Sequence, residues 1–241
     1  MAVLLELDRV DKSYGALKVA DGITLDVAEG EALGVIGPNG AGKSTLFNLI
    51  TGDVAPDSGR IRFSGADITA MAPHNRSRLG IGRSYQIPHP FSNMTVFENL
   101  LVGGIFGAGR SEKDSYAHCA EVLALTGLID RANAAAGSLT LLQRKRLELA
   151  RALAMRPRLL LLDEIGGGLT EHECNDLVQT IRDIHARGTT IVWIEHIVHA
   201  LLSVASRLIV MDFGQLLAQG DPRAVMADPR VQEVYMGIPA S

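Results

Sequence analysis

The sequence predicts an α/β fold that is interrupted by a helical insert. Apolar strand-like runs alternate with helical patterns in both terminal parts of the chain, and a glycine-rich segment joins one such run to a helix. Between about residues 73 and 139 the strand-like runs become sparse and helical patterns replace them. A strand, a glycine loop and a helix in that order open a nucleotide-binding α/β unit.

The N-terminal part of the chain contains three predicted strands. Residues 4–8 and 23–27 alternate apolar and polar side chains, as half-buried strands do. Residues 32–36 are apolar throughout, which predicts a strand that is covered on both faces. The glycine-rich loop and a helix over residues 43–50 follow directly.

The remaining elements are predicted from periodicity and from helix breakers. Glycines at 103, 104, 107 and 109 separate two predicted helices, and Pro157 stops a longer one. We expect a single domain over residues 1–241, with a core of about 1–88 and 157–241 and a helical subdomain of about 89–156. The predicted helices cover residues 95–101, 111–125, 141–155, 171–186 and 197–204, and the predicted strands cover 159–162, 190–194 and 208–211.

Composition limits the possible functions. The chain has 241 residues, 47% of them hydrophobic, which excludes a disordered or fibrous protein. Its formal net charge of -4 argues against a nucleic-acid partner or a surface bound mainly through charge. Two cysteines outside any Cys-x-x-Cys pair, with no signal-like N-terminus and no long apolar run, predict a soluble protein of a reducing cytoplasm.

The glycine-rich loop carries a specific chemical signal. Residues 37–44 match the P-loop pattern G-x-x-x-x-G-K-[ST]. Glycines let successive backbone N–H groups converge on phosphate oxygens, and the following helix adds its positive N-terminal end. Lys43 supplies a charge for the β- and γ-phosphates, and the Ser44 hydroxyl can ligate Mg²⁺. The predicted triphosphate-binding residues are Gly37, Pro38, Asn39, Gly40, Ala41, Gly42, Lys43, Ser44 and Thr45.

Two acids follow a distant apolar run. Asp163 and Glu164 come directly after the leucines at 159–162. Taken alone, such a pair is usually a solvated turn. Together with a P-loop it predicts Asp163 as a ligand of Mg²⁺ and Glu164 as the general base that polarises water. Gln86 and His196 occupy two further positions near strand ends and fit the same site.

These motifs stand in a fixed order along nearly the whole chain: Tyr14, the P-loop, Gln86, the helix that begins at Gln143, Asp163 with Glu164, and His196. In this order the sequence resembles the ATP-binding subunit of an ABC transporter. The resemblance implies the ABC ATPase fold, which is a P-loop NTPase (RecA-like) core with an antiparallel β subdomain and a helical insert. It also implies Mg²⁺-dependent ATP hydrolysis coupled to transport.

The resemblance implies roles that spacing alone does not give. In that family the aromatic residue near Tyr14 stacks on adenine, and the glutamine at Gln86 links the metal and the attacking water to the membrane subunit. The histidine near His196 contacts the γ-phosphate. The signature segment, here around Thr140 and Gln143, caps the nucleotide that a second subunit holds. Besides Ser44 and Asp163, Gln86 is therefore expected at the metal.

Two segments narrow the resemblance to a subfamily. Residues 94–103 and 228–237 look like those of branched-chain amino acid importers, although the lipopolysaccharide exporter ATPase shares the C-terminal segment. The expected partners are a second ATPase subunit, identical or paralogous, integral permease subunits and, indirectly, a solute-binding protein. The expected location is the cytoplasmic face of the cell membrane. Phe91 and Met94 are candidates either for a groove that receives the permease or for ordinary packing.

The sequence departs from the family pattern in the half of the site that is expected to act on the nucleotide of a second subunit. The family signature reads Leu-Ser-Gly-Gly-Gln, but leucines stand at positions 141 and 142. After Glu164 the usual proline and acid are replaced by residues 165–170, and Ile197 stands where an acid is common. The basic run at 144–146 could bind phosphate, but a solvated or paired helix face is favoured. The alternative functions are a low-turnover switch that closes on ATP and an exporter ATPase.

Overall fold

The computed structural model describes residues 2–236. Gly237, the last residue of the C-terminal segment compared above, lies outside the described residues. The chain divides into two compact units, one formed by residues up to Pro73 and from Thr190 onward, the other by His74–Thr189.

The secondary structure comprises ten strands and nine α-helices within residues 2–236. The strands are β1 (Val3–Tyr14), β2 (Leu17–Ala28), β3 (Ala32–Ile36), β4 (Ser58–Phe63), β5 (Ala66–Asp67), β6 (Ile81–Ser84), β7 (Leu159–Asp163), β8 (Thr190–Ile194), β9 (Arg207–Asp212) and β10 (Gln215–Gly220). The helices are α1 (Lys43–Thr51), α2 (Pro73–Arg78), α3 (Val96–Val102), α4 (Glu112–Leu125), α5 (Leu141–Ala154), α6 (Glu171–Ala186), α7 (Val198–Leu202), α8 (Pro222–Met226) and α9 (Pro229–Met236).

Two groups of strands build the first unit. An antiparallel sheet has the order β2-β1-β4-β5. In the other group β3 lies between β9 and β8 and is parallel to both, while β9 and β10 form an antiparallel hairpin. All five residues of β3 are buried, which confirms the strand predicted from its unbroken apolar run. Parallel pairing places the carboxyl ends of β3 and β8 at the same edge, where residues 37 and 195 follow them.

The second unit contains a parallel strand pair and most of the helices. β6 and β7 pair in parallel, with Ile81 opposite Leu159 and Ser84 opposite Leu162. Helices α3, α4 and α5 pack on one another, and α5 also packs against β6. All five residues of β7 are buried, so Asp163 emerges directly from an apolar strand. The helical subdomain proposed for residues 89–156 lies entirely within this unit.

The predicted break between the first two helices is present but begins later than its first glycines, since residues 108–111, with Gly109 at φ 64°, separate α4 from the segment before it. Residues Gly103–Gly107 continue α3 as a short π-helix. They permit close packing instead, since a Cβ on Gly103 would lie 2.8 Å from the carbonyl oxygen of Arg151. One on Gly107 would lie 2.5 Å from the Met155 sulfur. Because these glycines have no side chains, the segment can pack directly against the C-terminal part of α5.

Several element ends also differ from prediction. β1 runs past residue 8 because Arg9, at φ 46°, sits in a register shift that bends the strand and lets it continue. α7 covers five residues rather than eight. Strands β4, β5 and β10 and helices α2, α8 and α9 carry little periodic signal, and the sequence did not predict them; of β6 it predicted only a strand end near Gln86. Within residues 2–236, no helix is both long enough and apolar enough to cross a membrane.

Candidate active site

The P-loop leaves β3 and leads into α1, and the surrounding backbone fixes its shape. A Cβ on Gly37 would lie 2.2 Å from the carbonyl oxygen of Met211, and one on Gly42 would lie 2.3 Å from that of Val19. Gly42 also has φ 100°, in the left-handed region that favours glycine. Two of the three motif glycines are therefore required by close approach of the backbone as well as by the chemistry of phosphate binding.

Lys43 begins α1 and places its ammonium group inside the loop. Only 5% of the residue is exposed. Its Nζ donates hydrogen bonds to the carbonyl oxygens of Gly37, at 2.8 Å, and Pro38, at 2.9 Å. The next side chain, Ser44, is exposed at the first turn of the helix. A buried cation, a helix N-terminus and an accessible hydroxyl together suit a phosphate chain and its metal.

Tyr14 and His196, the other predicted residues of the first unit, are both exposed. Tyr14 ends β1, and the Lys12 ammonium lies 5.8 Å from the centre of its ring. His196 follows β8 and is preceded by Glu195, which is only 2% exposed. The N–H of Glu195 donates to the carbonyl of Val35 in β3, at 3.4 Å. Sequence reasoning gave Glu195 no role, because one acid after a strand carries no signal of burial.

Asp163 forms a buried ion pair in the second unit. Its Oδ2 accepts a hydrogen bond from Nη2 of Arg83 at 2.6 Å, and less than a tenth of either side chain is exposed. The pairing of β6 with β7 brings the two residues together across 80 positions of sequence. Sequence reasoning gave Arg83 no role, since register between distant strands is not visible in a local pattern.

Glu164 and Gln86, the predicted base and its predicted water-orienting neighbour, are in direct contact. The Gln86 amide donates from Nε2 to Oε2 of Glu164 at 2.7 Å. Lys145 in α5 donates from Nζ to the backbone carbonyl of Gln86 at 3.4 Å. Glu164 has φ 45°, a left-handed conformation that costs a residue with a side chain about 1–2 kcal/mol. The second unit therefore brings three predicted residues, Asp163, Glu164 and Gln86, to the ends of β6 and β7.

The basic run of α5 is paired within the chain, as the sequence favoured. Arg144 donates from Nε to the carbonyl of Leu139 at 2.9 Å, and Arg146 lies 3.9 Å from the carboxylate of Asp176. Lys145 is buried rather than solvated, because it reaches the loop after β6. Each of the three cations thus has a contact inside the second unit.

The signature segment forms the N-terminus of α5. Thr140 is the N-cap residue and makes a capping box with Gln143, in which each side chain accepts from the other's backbone N–H. Leu141 is 46% exposed, and its Cδ2 lies 3.4 Å from where a Cβ on Gly168 would be. Leu142 is half-buried. The two leucines therefore occupy the first turn of the helix.

The altered turn after Glu164 has a local structural role. Thr170 is the N-cap of α6, and Glu173 completes a second capping box with it. Ile165 is buried, and the N–H of Gly167 donates to the carbonyl of Glu164 at 3.3 Å. The threonine that replaces the expected acid is thus used to start a helix.

Asn99 is a structural residue of this region that sequence reasoning missed. It is fully buried in α3 and clamps the backbone of Phe91 from both sides. Its Oδ1 accepts from the Phe91 N–H at 2.9 Å, and its Nδ2 donates to the Phe91 carbonyl at 3.1 Å and to that of Thr95 at 2.8 Å. Phe91 itself is 45% exposed, with the Arg151 guanidinium 5.0 Å from its ring centre. Asn99 therefore holds in place the segment that follows Gln86.

Comparison with known proteins agrees with this geometry. The sequence profile of the ABC transporter family matches residues 20–166, which is more than half of the chain. The chain belongs to this family. It is an ATP-hydrolysing P-loop enzyme with the ABC ATPase fold, as the sequence predicted. A second profile, described as a branched-chain amino acid ATP-binding cassette transporter, matches residues 215–240.

Individual relatives cover almost the whole cassette. The chain is 35% identical to the high-affinity branched-chain amino acid transport ATP-binding protein BraF of Pseudomonas aeruginosa, over 97% of this chain and 98% of that protein. It is equally 35% identical to the lipopolysaccharide export system ATP-binding protein LptB of Acidithiobacillus ferridurans, over 98% of each. The crystal structure of the ADP conformation of an ATP-binding cassette of an ABC transporter matches with a TM-score of 0.91 and 33% identity, over 99% of this chain and 100% of that one.

Ser44 in the first unit and Asp163 in the second each carry the kind of oxygen that Mg²⁺ prefers. Magnesium prefers hard oxygen ligands and keeps several waters or phosphate oxygens around it. Ser44 offers an exposed hydroxyl, and Asp163 offers the carboxylate oxygen that is not bonded to Arg83. Among residues 2–236, no cluster of three or more His, Cys, Asp or Glu side chains could hold a metal by itself.

Proposed function

We propose that this chain is the ATP-hydrolysing motor subunit of an ABC-type membrane importer for branched-chain amino acids or a related small solute. The observation that carries the solute class is the match of residues 215–240 to the branched-chain amino acid cassette profile. The full-length similarity to BraF supports the same assignment. The partners proposed are a second cassette, permease subunits and a solute-binding protein, with the chain peripheral on the cytoplasmic face of the membrane.

The division of labour follows from the chemistry of the side chains. The P-loop amides and Lys43 neutralise the phosphate charge, which is the main task in phosphoryl transfer. Ser44, Gln86 and Asp163 are the proposed magnesium ligands, and the metal when bound neutralises charge on the β- and γ-phosphates. Glu164 takes the proton of the attacking water, while Gln86 and His196 orient that water. Tyr14 stacks on the adenine, and Thr140 with Gln143 caps the nucleotide of the partner cassette.

The hydrogen bond between Gln86 and Glu164 corresponds, in this proposal, to a resting state of the catalytic site before hydrolysis. While the Gln86 amide donates to Oε2 of Glu164, that oxygen is less available to accept a proton from water. Turnover then requires the Gln86 segment to move. Since Lys145 in α5 contacts the carbonyl of Gln86 and Asn99 in α3 holds the backbone of Phe91 just after it, motion of α3 and α5 is a suitable trigger.

An exporter ATPase is the second candidate, and one observation favours it. The similarity to LptB is as high as the similarity to BraF, at 35% identity over nearly the whole chain. Both candidates share the ATPase mechanism and differ in the cargo and in the permease.

The test of the mechanism uses two variants with opposite expected effects on binding. Glu164→Gln removes only the carboxylate that takes the proton, so it should retain ATP binding and lower hydrolysis by roughly 10²–10³-fold. Lys43→Ala removes the buried charge and should lose ATP binding as well. Binding is measured with a fluorescent ATP analogue and turnover by phosphate release. Wild-type turnover in Glu164→Gln would remove Glu164 from the role of base.

The test of the cargo is a transport measurement in cells. Deletion of the gene should abolish uptake of radiolabelled leucine or valine, and the wild-type chain but not Glu164→Gln should restore it. As a control for expression, the exposed ion-pair variant Arg62→Met should restore uptake fully. Normal uptake of all branched-chain amino acids in the deletion strain, together with a defect of the outer envelope, would favour the exporter.

A further inference from the structure

The ion pair between Arg83 and Asp163 is placed where the proposed magnesium ligand emerges from β7. Its Nη2–Oδ2 distance is 2.6 Å, and the exposed fractions of the two side chains are 8% and 9%. A buried carboxylate without a counter-charge is strongly destabilising, whether or not a metal later binds to it. Arg83 therefore supplies the charge that Asp163 requires for the fold.

The guanidinium is held in one orientation by its neighbours. Its central carbon lies 4.7 Å from the ring centre of Tyr85, which is an arrangement typical of cation–π stacking. Tyr85 is itself 46% exposed. The pairing of β6 with β7 sets the backbone positions of both partners. Burial of both side chains distinguishes the pair from surface ion pairs, which contribute little to stability.

One carboxylate oxygen of Asp163 accepts the hydrogen bond from Arg83, and the other is available to a further ligand. Oδ2 accepts from Arg83, whereas Oδ1 carries no hydrogen bond or ion pair to any residue in the part of the chain that the structure describes. The charge of the carboxylate is already compensated, so Oδ1 attracts a divalent cation less strongly than a bare carboxylate would. Phosphate oxygens of ATP would supply the missing negative charge.

We infer that Arg83 is a positioning residue that aims Oδ1 of Asp163 and lowers its intrinsic affinity for Mg²⁺, so that the metal is retained only together with ATP. The inference rests on the proposed function for the role of Asp163 at the metal. It predicts that removing the guanidinium converts Asp163 into a nucleotide-independent cation site, because the uncompensated carboxylate then seeks another counter-charge.

The test measures thermal unfolding of the whole chain with and without Mg²⁺, in the absence of nucleotide. Arg83→Met should lower Tm by roughly 10 °C, because Asp163 is left unpaired. If the unpaired carboxylate then binds Mg²⁺ with a Kd of about 1 mM, about 10 mM Mg²⁺ should raise the Tm of this variant by roughly 3–6 °C. The wild type and the surface control Arg62→Met should show no such rise.

Two further variants separate positioning from simple packing. In Arg83→Met/Asp163→Asn the magnesium-dependent rise should vanish, because the carboxylate is gone. Arg83→Lys keeps the charge without the planar guanidinium and should show a smaller rise than Arg83→Met; if Arg83→Met does not fold, Arg83→Lys is the decisive variant. A destabilised Arg83→Met, or Arg83→Lys in its place, whose Tm does not respond to Mg²⁺ would overturn the inference.

Failure of the inference can be told apart from failure of the proposed function. Binding of a fluorescent ATP analogue by the wild type, and its loss in Lys43→Ala, tests the function without reference to Arg83. Wild-type ATP binding combined with no magnesium response in the Arg83 variants would refute the positioning role alone. Absence of ATP binding in the folded wild type would refute the proposed function instead.

Discussion

Replacing Leu141 and Leu142 by glycine tests whether the signature segment limits catalysis. Both leucines lie in the first turn of α5, just after the N-cap Thr140. In the family, glycines at these positions let backbone N–H groups approach the γ-phosphate that a partner cassette holds. Leucine side chains are bulkier than glycine at the positions where backbone must approach the phosphate, and they add no donor. We therefore expect Leu141→Gly/Leu142→Gly, with Thr140 retained, to raise ATPase activity.

The size of the effect follows from two opposing terms. A preorganised donor at a developing charge is typically responsible for roughly 10²–10³ in rate, and this is the upper limit of the gain. The cost is in stability. About half of Leu141 is buried, and removal of its side chain costs about 1 kcal/mol. Two glycines in a helix cost up to about 2 kcal/mol more, so that Tm should fall by roughly 5–10 °C.

The assay is phosphate release at saturating ATP and Mg²⁺, at a temperature well below the lower Tm. Leu202→Gly provides a matched control, since Leu202 is also a partly exposed leucine in a helix and lies in the first unit. It should lose stability without gaining activity. The gain should be largest in a homodimer, where both nucleotides receive the altered cap. With a paralogous partner that carries Ser-Gly-Gly, only the partner's nucleotide should turn over faster.

Unchanged or lower activity in a double variant that folds and binds ATP would refute this reasoning. The leucines would then not obstruct the cap, and the signature segment would contact phosphate through backbone alone or not at all. In that case the low-turnover switch, which closes on ATP without rapid hydrolysis, becomes the better account of this chain.

Two further predictions concern stability and reactivity. Asn99→Ala should lower the free energy of unfolding by roughly 2–4 kcal/mol, because the backbone N–H and carbonyl of Phe91 lose their buried partner. Asn133 is exposed, so the control Asn133→Ala should change that free energy by less than about 0.5 kcal/mol. Both values are measured by chemical denaturation. Burial raises the pKa of the Cys119 thiol to about 11, so the thiolate is absent near neutral pH and gains population only as the pH approaches that value. Iodoacetamide should therefore label Cys119 in folded protein at pH 8 far more slowly than in denaturant, and equal rates would contradict its burial.

The sequence by itself determined the features that depend on neighbouring residues. The P-loop, the apolar strands over residues 32–36 and 159–162, and the start of α6 at Glu171 were all predictable. A glycine pattern, an unbroken apolar run and an N-cap threonine each impose a local backbone conformation, whatever the rest of the chain does. The chemistry of Lys43 and of the acids at 163 and 164 follows from their positions at the ends of such elements.

Tertiary structure alone decided which distant groups meet. Arg83 reaches Asp163 only because β6 and β7 pair in one register, and a shift of that register would separate them. The sequence predicted Lys145 as part of a solvated or paired basic run, and packing of α5 against β6 decides that it is buried. The glycines of residues Gly103–Gly107 read as a helix break, yet close approach to α5 makes them a continuation of α3. A local pattern specifies a conformation, whereas burial and ion pairing are properties of surfaces that come together only when the elements pack.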